Sequence, residues 1–182
     1  AKAGPEEIHI RITATNRGPE EATLHLLPTL WFRNTWSWSE EIARSVIRAA
    51  KGGLGARWSV SASHETLGDY RLYGREPAEL LFTENESNSE RLWGVPNSQP
   101  HVKDAFHRRV VEGHADATNP AMQGSKFAAW YERKIPAGQS IQLRWRIGTD
   151  STQPAIGQNI DSIVISEVCA VACTPGPVLG AP

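Results

Sequence analysis

The chain has 182 residues, 40% of them apolar and 21% charged, which is enough apolar material for one packed core and too much for a disordered segment. Nineteen basic side chains against twenty acidic ones leave a formal charge of -1, so no global field is available to hold a nucleic-acid backbone or an anionic membrane. No apolar run approaches the roughly 20 residues a membrane span requires.

From Glu7 to Thr15 apolar and polar residues alternate strictly: Ile8, Ile10, Ile12 and Ala14 fall on one side, His9, Arg11, Thr13 and Thr15 on the other. That period predicts a half-buried strand. Asn16-Arg17-Gly18-Pro19 supplies turn chemistry, and the apolar run from Thr23 to Phe32 is expected to return beside the first strand as its hairpin partner, with Pro28 placing it at an edge or a bulge. Between Ser39 and Lys51 the residues Ile42, Val46, Ile47 and Ala50 recur at helical spacing, with Ser39 able to cap and Gly52-Gly53 able to stop the segment, which predicts a short helix or ordered excursion. Strand patterns resume at Arg57–Ser63, Asp69–Tyr73 and Glu79–Thr83. Residues 84–104 read as a long polar connection carrying an isolated Leu92-Trp93 pair. Lys126–Ile135 and Gln139–Ile147 follow as strands across a tight Pro136-Ala137-Gly138 connection, the second with Ile141, Leu143, Trp145 and Ile147 facing in. The expectation is therefore an all-β antiparallel sandwich over 1–150 with one short helix and long polar loops, followed by an atypical tail over 151–182 rich in Ser, Thr, Gln and Pro. The opening Ala1-Lys2-Ala3-Gly4-Pro5, without Met or a secretory signal, points to a sandwich that is incomplete at its N-terminus.

Two stretches stand out chemically. Trp31-Phe32-Arg33-Asn34-Thr35-Trp36-Ser37-Trp38 gathers three indoles and a guanidinium at a strand end, and strand alternation would put Trp36 and Trp38 on one face with Arg33 and Thr35 opposite. Rings beside polar groups suit a sugar, although a packed corner or an interface to another domain is the more common use of such a stretch. Thr83-Glu84-Asn85-Glu86-Ser87-Asn88, followed by Arg91 and by Lys103-Asp104, concentrates carboxylates and amides. Paired carboxylates are what glycoside hydrolysis needs, but so hydrophilic a loop is more often solvated or hydrogen-bonded to a neighbouring domain. The six histidines show no metal-ligand spacing, and no nucleophile elbow, phosphate loop or dinucleotide fingerprint occurs, so neither a metal nor a cofactor is expected. The only cysteines, Cys169 and Cys173, match neither a redox motif nor a zinc site, which suggests a reducing, cytoplasmic compartment. Seven tryptophans exceed what a domain of this size ordinarily carries, and the space between two sheets is one place for them.

The words themselves are similar to a known family. Ile10-Arg11-Ile12-Thr13-Ala14-Thr15-Asn16-Arg17-Gly18-Pro19, Leu24 through Trp38, Glu79 through Glu86, Arg91-Leu92-Trp93-Gly94, Val102-Lys103-Asp104, Ala117-Thr118-Asn119-Pro120 and Gly124-Ser125-Lys126 resemble, in the same order, the bacterial glucosidase-like branch of glycoside hydrolase family 63. The resemblance covers roughly 1–148. It implies the galactose mutarotase-like super-β-sandwich that precedes an (α/α)6 barrel in that family, where the catalytic carboxylates of the barrel hydrolyse α-linked glucosides with inversion. No catalytic residue is carried over to this chain, which on that basis is expected to be inactive alone and to have the barrel of a parent protein as its partner. Arg33, Asn34, Trp36, Trp38, Glu84, Asn85, Asn88, Lys103, Asp104, Asn119 and Lys126 are the candidates for the surface that meets the barrel or an α-linked oligosaccharide. A free-standing carbohydrate-binding module using Trp36 and Trp38 is the alternative.

Overall fold

A computed structural model describes residues 1–149, apart from 5, 40 and 54, together with 164–165. In chain order the strands are β1 (Lys2–Gly4), β2 (Glu7–Thr15), β3 (Ala22–Leu26), β4 (Thr29–Trp31), β5 (Val46–Ala50), β6 (Trp58–His64), β7 (Gly68–Gly74), β8 (Glu79–Thr83), β9 (Gln123–Gly124), β10 (Lys126–Ile135), β11 (Ser140–Thr149) and β12 (Val164–Ile165). Two short helices, α1 (Ser89–Trp93) and α2 (Ala105–Val110), lie between β8 and β9. The fold is an all-β antiparallel sandwich, as the alternation in the sequence implies.

One sheet has seven strands in the order β1-β2-β11-β7-β6-β5-β9. The other has five: β12, β4, β10 and β3, with β8 along the second side of β10. Inward residues of both sheets form one core that includes Leu26, Leu30, Phe32, Ile47, Val60, Tyr70, Leu72, Phe82, Phe127, Tyr131, Leu143, Trp145 and Ile147. Within it the Trp145 indole N–H donates to the Tyr131 hydroxyl at 2.8 Å, so neither polar atom is buried unpaired. Burial pushes the Tyr131 hydroxyl up to about 12. The central strand β10 does not alternate, because both of its faces are covered. Phe127 and Tyr131 face the other sheet, and Ala128 joins Leu27, Leu81 and Phe106 under α2.

Three expectations are corrected. The run Thr23–Phe32 is not the hairpin partner of the first strand: β2 pairs with β1 and β11, whereas β3 and β4 pair with β10 in the opposite sheet. Strand alternation identifies a face and not a neighbour, so the crossing between sheets at Asn16–Glu21 was invisible to it. Pro28 does interrupt the strand, splitting it into β3 and β4, and its carbonyl accepts from Ala129. The segment expected as a helix holds β5 instead, paired with β6 in register Val46↔Ser63 to Ala50↔Ser59. The helices that do form, α1 and α2, were not expected. The expectations for the tail, including its two cysteines, lie outside the described residues, except that Val164–Ile165 pairs with β4. Among the described residues no helix is long and apolar enough to cross a membrane.

Candidate interdomain site

The antiparallel pairing brings the end of β4, the end of β8 and the start of β10 to one end of the five-stranded sheet, with Lys126 facing Trp31 on one side and Thr83 on the other. The loops that leave this end carry the candidate residues, and backbone bonds tie them together. The amide of Glu84 donates to the His101 carbonyl at 2.7 Å, and that of Lys103 donates to the Glu86 carbonyl at 3.0 Å. The Asn119 amide donates to the Phe82 carbonyl at 2.8 Å, and its side chain closes its own turn on the Gln123 carbonyl at 2.7 Å. The eleven candidates are therefore gathered at one end.

Asn85 is the knot of the cluster. Its side chain donates to the Phe32 carbonyl at 2.9 Å, its carbonyl accepts from Asn34 at 3.0 Å, and its amide donates to the Ser125 hydroxyl at 2.8 Å. That hydroxyl donates in turn to Glu84 at 2.6 Å. Gly124, next to Ser125, sits so close that an added Cβ would lie 2.3 Å from the Thr83 carbonyl oxygen, so only glycine lets the two backbones meet here.

Glu84 and Glu86 are largely sequestered, with side chains 15% and 14% exposed, and Arg44 spans them at 3.5 and 2.8 Å. Glu86 also accepts from the Trp36 indole at 3.3 Å and from Ser98 at 2.7 Å. Both carboxylates thus serve as acceptors for fixed donors. Arg44 was missed in the sequence, and no spacing could have flagged it, because it lies forty residues before its first partner. A second knot joins Asn88 to Asp104, with the amide donating at 3.0 Å and Arg91 reaching the same oxygen at 3.5 Å, while Asp104 Oδ1 is buried without a hydrogen-bond partner. Lys126 reaches the Lys103 carbonyl at 3.5 Å and stands 5.1 Å from the centre of the Phe106 ring.

The tryptophan-rich stretch corrects another expectation. Residues 32–38 turn instead of extending, so alternation does not apply: the Arg33 guanidinium lies 5.0 Å over the Trp38 ring, and Trp36 packs against the core. The two indoles do not form a common platform. Trp38 is 65% exposed. Helix α1 adds a second apolar surface: it is capped by the Asn88 side chain, which accepts from the Arg91 amide, and ended by left-handed Gly94, yet it buries no residue. Leu92, Trp93 (67% exposed) and Val95 face outward. At the same end the His64 ring packs tilted against Phe32 with ring centres 5.1 Å apart, and burial holds its pKa below the usual 6.5.

No family model matches the chain, and no solved structure does. The chain is 30% identical over 175 residues to the uncharacterized protein YMR196W of Saccharomyces cerevisiae, an alignment that covers 80% of this chain and only 16% of the yeast protein.

Proposed function

We propose that this chain is a non-catalytic β-sandwich domain of a larger α-glycosidase, whose gathered polar end supports a catalytic (α/α)6 barrel and shapes the mouth of its active site. The observation that carries the proposal is an end held rigid by internal hydrogen bonds that nonetheless presents bare aromatic and aliphatic side chains. Trp38, Leu92, Trp93 and Val95 are exposed together with a helix that buries nothing. A short helix without a buried face draws its stability from packing against something else, here a further domain of the same polypeptide. The yeast relative, which is several times the length of this chain, supports the view that such a sandwich occurs within a larger protein.

That the chain itself is inactive is part of this reading, and the use to which its carboxylates are put supports it. Glu84 and Glu86 share Arg44 and accept from Ser125, Trp36 and Ser98, so both are engaged in holding the loop rather than facing an open cleft. Cysteine usage supports a reducing, cytoplasmic setting. The test is an assay of the purified chain against maltose, nigerose and kojibiose alongside sequencing of the DNA that flanks its coding region. The reading predicts no turnover and an adjoining sequence for a helical barrel with two acidic residues; turnover by the chain alone would overturn it. A sugar-binding reading draws only on the exposure of Trp38, and heat on titration with malto-oligosaccharides that is lost in Trp38→Ala would favour it.

A further inference from the structure

The outer face of the seven-stranded sheet, away from the loop cluster, carries a groove of about 680 Å³ lined by His9 and Arg11 of β2, Tyr73 and Arg75 at the end of β7, and Arg144 and Arg146 of β11. Four guanidinium groups meet there in a chain whose formal charge is -1. The pairing register sets Arg144 directly opposite Arg11, and Arg146 opposite His9 on one side and Tyr73 on the other. Like charges placed directly opposite in an antiparallel pair destabilise the sheet, so this arrangement carries a standing cost unless an anion neutralises it.

The acidic groups near the groove do not remove that cost. Glu7 is shared between His9 and Arg146. The Glu76 carboxylate meets the backbone amide of Arg144, at 3.4 Å, and not its guanidinium. Among the described residues the Arg144 side chain donates to neutral Gln142, at 3.1 Å, and to no carboxylate. Among the described residues Arg11 and Arg75 have no carboxylate partner, and both are exposed. Arg146 is braced instead, lying 5.6 Å over the Tyr73 ring.

We propose that this groove binds a small ligand bearing one or more phosphate groups, of the size of a diphosphate or a sugar phosphate. Guanidinium forks on rigid strands match the oxygens of a phosphate in bidentate fashion, and a tetrahedral polyanion can be approached from β2, β7 and β11 at once. The volume falls within the roughly 300–1,000 Å³ of small-molecule sites, and Tyr73 lines the groove beside the guanidinium groups. The inference does not depend on the glycosidase reading, because the groove lies on the sheet face and the loop cluster at a sheet end.

The experiment is isothermal titration of the full 182-residue chain with inorganic pyrophosphate, glucose 6-phosphate and citrate at matched ionic strength. Saturable binding of both phosphate compounds, weakened roughly tenfold or more by Arg144→Gln and by Arg11→Gln, is the expected result. No binding of either phosphate compound, or citrate binding as tightly as pyrophosphate, would overturn the proposal. The repulsion argument has its own readout. The anion-free Arg144→Gln chain should melt at the same temperature as the parent or higher, and a lower Tm would contradict it.

Discussion

Arg44 shows most clearly how one residue organises the candidate site. It is the cation that bridges two partly buried carboxylates on the loop, and it stands at the threshold of β5, so its position is inherited from the seven-stranded sheet. Replacing it with Met leaves Glu84 and Glu86 close together without a counter-charge, a cost between that of an exposed and of a buried broken pair, about 1–2 kcal/mol. Urea denaturation of Arg44→Met should show the midpoint falling by a corresponding amount; an unchanged midpoint would mean that the pair is screened by solvent. Tyr131 permits a second prediction, with its sign fixed by burial. Its hydroxyl is pushed up from 10.0 to about 12 in the fold, so as pH rises the unfolded chain loses this proton first. Stability is then undiminished below about pH 10 and declines toward about pH 12. The decline should be shallower in Tyr131→Phe, although that variant also loses the bond from Trp145 and starts from a lower stability.

At the scale of elements, β2, β8 and β10 were legible to the residue because each is long or sharply bounded: strict alternation marks β2, and turn residues mark β8 and β10. β5 was misread because five residues cannot separate a period of two from one of 3.6. Ile47 faces the core while Arg48 and Ala49 are exposed, a pattern that fits either description. Helix α1 escaped for the opposite reason, since it has no apolar stripe to detect, although its caps at Asn88 and Gly94 were readable as a start and a stop. The close approach at Gly124 ties β9 to the end of β8. Gly124→Ala would drive a Cβ into the backbone of Thr83, which cannot yield as a flexible side chain could. The expected loss is about 3 kcal/mol, checked by thermal unfolding, with retained stability meaning that β9 can shift freely along β5.

For the molecule as a whole, the sequence separated inside from outside and left the assembly of strands to the structure. The all-β class was legible from periodicity, whereas the assignment of Thr23–Phe32 to the second sheet depends on pairing with β10, a hundred residues away. The candidate site was legible as a set of polar and aromatic residues, because loops at strand ends are where such residues escape the core, but its internal wiring through Arg44, Ser125 and Ser98 was not. The two proposed surfaces also differ in kind: the loop end pairs Glu84 and Glu86 internally and is apolar at its rim, and the sheet face is an excess of cations around a groove. The most direct test of the interdomain account is hydroxyl-radical footprinting of Trp38 and Trp93, comparing the isolated chain with the longer polypeptide encoded by its flanking DNA. Both indoles should be oxidised readily in the isolated chain and protected several-fold in the longer one, while Tyr73 on the sheet face reacts equally in both. Equal oxidation of Trp38 and Trp93 in the two forms would contradict the claim that this end of the sandwich is built to be covered.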